Sequence, residues 1–310
     1  MIELKWQLRP VRWTARAGHG MYTAFIYVLL FGLAFVFLYP YIYMITTSFK
    51  SYNDLIDVTV KWIPKEFAPV NYKLAAQALN FVRGGLNTIF VAGMSTVGHV
   101  LVCSFVAYGF ARFRFAGRKL LFPVVILSII VPVQTLIVPQ YITWVNLGCA
   151  DSYLPIILPS FLGYGLRGGL FIFLFHQQFI KLPKVLEEAA EIDGCNPIRT
   201  FFRIALPTAG ATIVVCVVLS VVWHWNEFFE SSIYISKQAE WLLPQALPSM
   251  YQLIQSMANA NQPWMMEMRF VYHEGVVMAG TALATLPLLI FYLFMQRKFM
   301  ASIERSGIVE

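Results

Sequence analysis

The chain has 310 residues, 58% of them hydrophobic and only 13% charged, with a mean hydropathy of +0.64 and a net charge of +7. A soluble domain carries about 25% charged and about 45–50% apolar residues, so this composition excludes an ordinary soluble protein and points to a membrane. The basic residues fall between apolar runs and form no stripe, which fits a cytoplasmic excess of Lys and Arg and argues against a nucleic-acid surface.

A spanning helix needs about 20 mostly apolar residues. The N-terminal stretch "MIELKWQLRPVRWTARAGHG" is basic, and no cleavable signal is evident at the first apolar run. That run is therefore expected to stay as an anchor. Trp6 and Trp13 among Arg9, Arg12 and Arg16 suit an interfacial, cytoplasmic segment over 1–20. Six spans are expected, at about 21–45, 86–110, 120–145, 154–180, 204–228 and 275–296, followed by a tail over 297–310. Lipid leaves no water for backbone groups, so the spans are helices and the fold class is an all-α membrane protein. The third span contains Pro123, Pro132 and Pro139. The fourth contains Pro155, Pro159, Gly163, Gly165, Gly168 and Gly169. Such density predicts close packing or broken helices near a pathway.

Basic residues set the orientation. Arg112, Arg114, Arg118 and Lys119 follow the second span, and Lys181, Lys184, Arg199 and Arg203 follow the fourth. With the basic N-terminus and Arg297, Lys298 and Arg305 of the tail, they share one side if the spans number six, while 146–153 on the other side has no Lys or Arg. Both termini are therefore expected in the cytoplasm.

The stretch "EEAAEIDGCNPIRTFFRIALP" (187–207) then lies on the cytoplasmic face. Locally it reads as helix, tight turn, helix. Pro183 can occupy a first turn ahead of Glu187, Glu188, Ala189 and Ala190. Gly194 suits the left-handed residue that closes a helix, and Asn196–Pro197 suits a cap with a first-turn proline. Paired start and stop signals favour a docking element over a plain loop.

Arg167 falls mid-way through the fourth span among glycines. A charge at that depth costs about 2.5–3.5 kcal/mol on insertion scales. Two readings stand: a structural arginine bound to carbonyls of a broken helix, or a pathway cation that meets substrate and would favour an acidic sugar such as a uronide. Gln134, Trp225, Asn226 and Glu227 are further candidate pathway residues, with an aromatic belt and polar cap as the alternative for the last three. His99, His176 and His224 lack metal-ligand spacing and read as packing residues. Cys103, Cys149, Cys195 and Cys216 are scattered and read as reduced.

The spacing "E-A-A, three residues, G, nine residues, I-x-L-P" at Glu188, Ala189, Ala190, Gly194, Ile204, Leu206 and Pro207 resembles the signature of permease subunits of binding-protein-dependent ABC importers. The segments "AYGFARFRFAGRKLLF" (107–122), 131–159, "WHWNEFFESSIYI" (223–235) and 46–72 are similar to the carbohydrate-uptake branch, on the side of the smaller maltose-type permease. The resemblance implies a type I importer permease in the bacterial plasma membrane. It implies a heterodimer with a second permease, two ATPase subunits and an extracytoplasmic sugar-binding protein. Glu187, Glu188, Ala189, Ala190, Ile192, Asp193 and Gly194 would then form a coupling helix seated on an ATPase. The chain lacks a GxxxxGK[ST] phosphate loop and is not expected to hydrolyse ATP, and no catalytic residue, resident cofactor or metal is expected in it. ATP and Mg would bind to the partners.

A non-sugar solute is the main alternative. An ion-coupled carrier would call for inverted repeats and buried acids, and an intramembrane enzyme for a catalytic constellation; neither pattern is evident.

Overall fold

The computed structural model describes residues 12–165, 167–259 and 272–307. Among them no strand forms; the one bridge pairs Lys50 with Phe67. In chain order the helices are α1 Arg12–Ser48, α2 Tyr52–Ile56, α3 Val70–Ala78 and α4 Phe81–Arg112. Next come α5 Arg118–Ile130, α6 Val133–Asn146, α7 Leu154–Phe161, α8 Gly168–Lys181, α9 Lys184–Ile192 and α10 Pro197–Thr208. The last are α11 Gly210–Trp225, α12 Phe229–Tyr234, α13 Leu243–Ala246, α14 Met250–Asn259 and α15 Glu274–Gly307.

Among the described residues three helices are long and apolar enough to cross a membrane unbroken: Tyr22–Ser48 of α1, all of α4, and Glu274–Ser302 of α15. Two further pairs qualify as bent spans, α5 with α6 at 101° and α10 with α11 at 78°, giving three to five candidates. The third, fourth and fifth expected spans are therefore not straight helices. Pro132, without an N–H to donate, marks the α5–α6 bend as N-cap of α6. The fourth divides into α7 and α8, because Gly163, Gly165 and Arg167 all take positive φ at the join. The fifth starts earlier, at Pro197, bends at Ala209 and ends at Trp225, leaving Asn226 and Glu227 beyond it. Of the interfacial segment, 1–11 with Trp6 and Arg9 lie outside the described residues, as do 308–310 of the tail; Arg12 onward continues α1.

α4 carries the packing rule of lipid-embedded helices. Over Phe81–Gly98 its covered face is small or polar but for Val91: Gly84, Gly85, Thr88, Ala92, Ser95, Thr96 and Gly98 are buried. Its large apolar residues Val82, Leu86, Ile89 and Phe90 are exposed. Small residues let backbones approach where lipid gives no hydrophobic drive between helices. Hydroxyls then tie the helices together. Thr88 Oγ1 donates to Gly84 O (2.7 Å) and accepts the Leu243 N–H (3.0 Å). Thr96 Oγ1 reaches Ser220 Oγ at 3.0 Å, and the Trp225 indole N–H donates to Ala284 O at 3.1 Å.

The core has an aromatic seam where α8 meets α4 and α10. Phe171, Phe175 and Phe179, spaced four apart on one face of α8, are fully buried with Tyr108 and Phe201 beside them. A second cluster joins α3, α13, α14 and α15 around Leu74, Leu243, Met250 and Val276. The segment after α1 folds compactly: Lys50 Nζ donates to the carbonyls of Val60 (3.3 Å) and Lys61 (2.8 Å), and Asp54 accepts the Glu66 N–H at 3.0 Å. At its surface Asp57 accepts from Lys65 (2.7 Å) and Thr59, which holds its carboxyl well below the usual carboxylate range. By contrast, Phe25, Phe31, Val36 and Phe37 of α1 stand bare, in keeping with lipid or another subunit as their surroundings.

Candidate functional site: a docking helix and a cavity between broken spans

α9 projects from the end of α8 through Leu182 and Pro183. Pro183 sits at the N-cap with extended ψ, one position before the first turn expected for it. The helix ends in a Schellman arrangement: Gly194 at φ +78 donates to Glu191 O (3.0 Å), and the Cys195 N–H donates to Ala190 O (2.8 Å). The chain restarts immediately. Asn196 Oδ1 accepts the Arg199 N–H at 2.8 Å, with Pro197 at the first helical position.

The helix has two faces. Toward the membrane domain it turns Ala190, which is buried, and Glu187, whose Oε1 lies 2.9 Å from Arg112 Nε. Away from it stand Glu188, Ala189, Glu191 and Asp193, all exposed, with the apolar Val185 and Ile192. Val185, Ala189 and Ile192 fall at i, i+4 and i+7, one bare apolar stripe flanked by acids. Of the two alanines, only Ala189 is therefore open to a partner; Ala190 is covered by its own chain.

The second feature is a cavity of about 720 Å³ between the α5–α6 bend and the α7–α8 break. Gln134, Arg167 and Glu227 line it, so three of the candidate pathway residues meet there. Ser128, Gln140, Tyr164 and Glu230 line it as well and carried no signal in the sequence reading. Arg167 is held by a ring: its guanidinium carbon lies 4.5 Å from the centroid of Trp223, and its backbone sits at φ +60. Gln140 bridges two tyrosines, 2.5 Å from Tyr164 Oη and 3.2 Å from Tyr234 Oη. Glu227 Oε1 accepts the Glu230 N–H at 2.8 Å and so starts α12.

Trp225 and Asn226 lie elsewhere. Trp225 is 6% exposed, within the cluster around Leu243, and its indole is bonded to Ala284 O. Asn226 turns back to Val222 O at 2.8 Å. Among the histidines, His99 and His224 both approach Ser220 Oγ, at 3.2 and 3.3 Å, and His176 packs on Phe122. No cluster of three or more metal-ligating side chains occurs among the described residues.

Long apolar helices, interrupted spans around a polar-lined cavity, and a projecting helix with its own caps define a membrane-embedded transport component. The chain belongs to the family of binding-protein-dependent transport system inner membrane components, whose profile matches residues 100–305. Protein LplC of Bacillus subtilis strain 168 is 30% identical over 272 residues, covering 88% of this chain and 89% of that protein. The arabinooligosaccharides transport system permease protein AraQ of Halalkalibacterium halodurans is 26% identical, covering 89% and 92%. The fold matches a chain of a bacterial ABC transporter involved in the import of the acidic polysaccharide alginate, at TM-score 0.74 and 20% identity, over 91% of this chain and 98% of that one.

Proposed function

We propose that this chain is one of two permease subunits of an ATP-driven carbohydrate importer in the bacterial plasma membrane. Its pathway is shared with a second, homologous permease. Two ATPase subunits bind ATP and Mg below it, and an extracytoplasmic binding protein delivers sugar. The chain itself does no chemistry and holds no cofactor. In this reading there are six spans: α1, α4, the bent pair α5–α6, the broken pair α7–α8, the bent pair α10–α11, and α15. Both termini lie in the cytoplasm, because the basic loops then share that side.

The observation that carries the reading is the α9 element. A capped helix with a bare apolar stripe and three exposed acids, rooted on two spans, suits a cleft on a basic partner. Acids at such a contact set register and partner choice. The carbohydrate class is supported by relatives named for arabinooligosaccharides and for starch degradation products. Amide, phenol and carboxylate groups around the cavity also suit a hydroxyl-rich solute.

The test is co-purification and reconstitution with the second permease, the ATPase pair and the binding protein. Sugar-stimulated hydrolysis and uptake are expected from the wild type. Glu188→Lys is expected to weaken ATPase association about tenfold, the scale of a charge-assisted contact. Retention of the ATPases by that variant at wild-type affinity would remove α9 as their seat.

A separate expectation concerns Arg167. Arg167→Gly relieves a left-handed residue, worth about 1–2 kcal/mol, while deleting the cavity's cation. Insertion and ATPase binding should be kept, and uptake should fall about tenfold with hydrolysis still stimulated by the loaded binding protein. Unchanged uptake would leave Arg167 with a structural role alone.

A further inference from the structure

Arg112 is the last residue of α4, and three elements converge on it. Its Nη2 donates to the carbonyl of Leu182, just past the end of α8. Its Nε lies 2.9 Å from Glu187 Oε1 in the first turn of α9. Its side chain is 9% exposed and that of Glu187 15%, so the pair is shielded from water and from the weakening that surface pairs suffer. Both charges also suit their helix ends, a cation at the C-terminus of α4 and an acid at the N-terminus of α9. The two charges touch, but the Nε–H is not aimed at the oxygen, and no aligned hydrogen bond forms between them. Charge and proximity hold the pair, without a directional bond from Nε to Oε1.

Among the described residues, α9 has few other ties to the membrane domain: Ala190 is its only buried residue, and Glu187 also interacts with the Tyr108 hydroxyl of α4. Behind Arg112 the structure is stiff. Tyr108, one turn earlier, is 4% exposed and packs on Phe179 at 5.6 Å and Phe201 at 5.3 Å. The same helix runs back through its π-helical turn at His99–Cys103 to Gly98, which lies against Ser160 and Phe161 beside the α7–α8 break. That stretch of α4 is about 21 Å long at 1.5 Å per residue. Val102 on it faces Gly163, a residue of the cavity wall. One continuous helix thus joins the base of α9 to the cavity.

We propose that the Arg112–Glu187 pair is the strut that carries movement of α9 into α4 and so to the cavity. Both are positioning residues; neither touches solute or nucleotide. This rests on the reading of α9 as the ATPase contact, and it divides that helix by role: Glu188, Glu191 and Ile192 hold the partner, while Glu187 faces inward. A coupling element must make contacts that differ between two states, and a shielded ion pair without a directional bond is a contact able to differ in that way.

The experiment uses the full complex with its binding protein in liposomes and reads sugar taken up per ATP hydrolysed, with ATPase retention in mild detergent as a second readout. Glu187→Gln leaves Arg112 its Leu182 partner. The double variant Arg112→Gln with Glu187→Gln leaves no unpaired charge, so a merely structural pair would be relieved by it. Under the strut, both variants keep the ATPases, and uptake per ATP falls about tenfold in each, the scale of a charge-assisted contact. Glu187→Asp, which keeps the charge, recovers most of the ratio. A wild-type ratio in the double variant overturns the strut, and so does loss of the ATPases in Glu187→Gln, which would place Glu187 on the partner's side. Failure of the wild-type chain to bind any ATPase would instead overturn the functional reading.

Discussion

Gly194→Val is expected to release the ATPase pair and abolish coupled uptake while leaving membrane insertion intact. Gly194 holds φ at +78, and no atom lies within 4 Å of where a Cβ would stand. The penalty is therefore conformational and not steric crowding by neighbours. A β-branched residue in the left-handed region costs about 1–2 kcal/mol or more. The chain escapes that strain by unwinding the end of α9, which breaks the 2.8 Å bond from Cys195 to Ala190 and the 3.0 Å bond from Gly194 to Glu191. Each is worth about 1 kcal/mol. Loss of the turn also swings Ile192 and Asp193 off the exposed face and displaces the Asn196 cap that starts α10. Together these changes lower ATPase affinity by about a hundredfold, or about 2.7 kcal/mol. Pull-down of the ATPases and sugar-stimulated hydrolysis both read it. Gly194→Asn is the control, since Asn tolerates this backbone and should keep most of the activity. Wild-type hydrolysis in the Val variant would show that the turn is dispensable.

Much of α9 was legible because its signals are local. A glycine that closes a helix and an Asn-Pro pair that opens the next act over four or five residues, so the sequence displays them directly. Apolar runs likewise displayed α1, α4 and α15. Hydropathy counts composition and cannot see direction, so it passed over the 101° bend at Pro132 and merged α7 with α8. The density of proline in the third span and of glycine in the fourth announced breaks, but nothing local gave their angle or said that Arg167 would lie over Trp223. Trp225 read as a pathway or belt residue because it ends an apolar run; its partner, Ala284 O, is 59 positions away. The split of α9 into an inner and an outer face was hidden for the same reason. Arg112 entered the sequence argument only as one basic residue among several that fix orientation. Its contact with Glu187 exists only once α4, α8 and α9 are assembled.

Gly98→Leu is expected to prevent assembly of the fold itself. A Cβ at Gly98 would lie 2.8 Å from Phe161 Cδ2, 3.0 Å from the Phe161 nitrogen and 3.0 Å from the Ser160 carbonyl carbon. Two of those atoms are backbone, so no rotamer change clears the space; α7 must move off α4. That movement opens the contact beside the α7–α8 break and disturbs the π-helical turn that begins at His99. Overpacking costs about 1–3 kcal/mol for small insertions, and a leucine adds a whole side chain against backbone. A membrane domain with about 5–15 kcal/mol in hand does not absorb several such contacts. Gly98→Ala should lower the melting temperature measurably, and Gly98→Leu should leave little monodisperse protein on size exclusion in detergent. Gly93, five residues earlier on α4, separates the causes: it is exposed, and nothing lies within 4 Å of its Cβ position. Gly93→Leu improves helix propensity by a few tenths to about 1 kcal/mol and adds an apolar side chain to the exposed face. It should be neutral or stabilising. If both leucine variants behaved alike, α4 would not depend on the close approach at Gly98, and the link from α9 through α4 to the cavity wall would lose its far end.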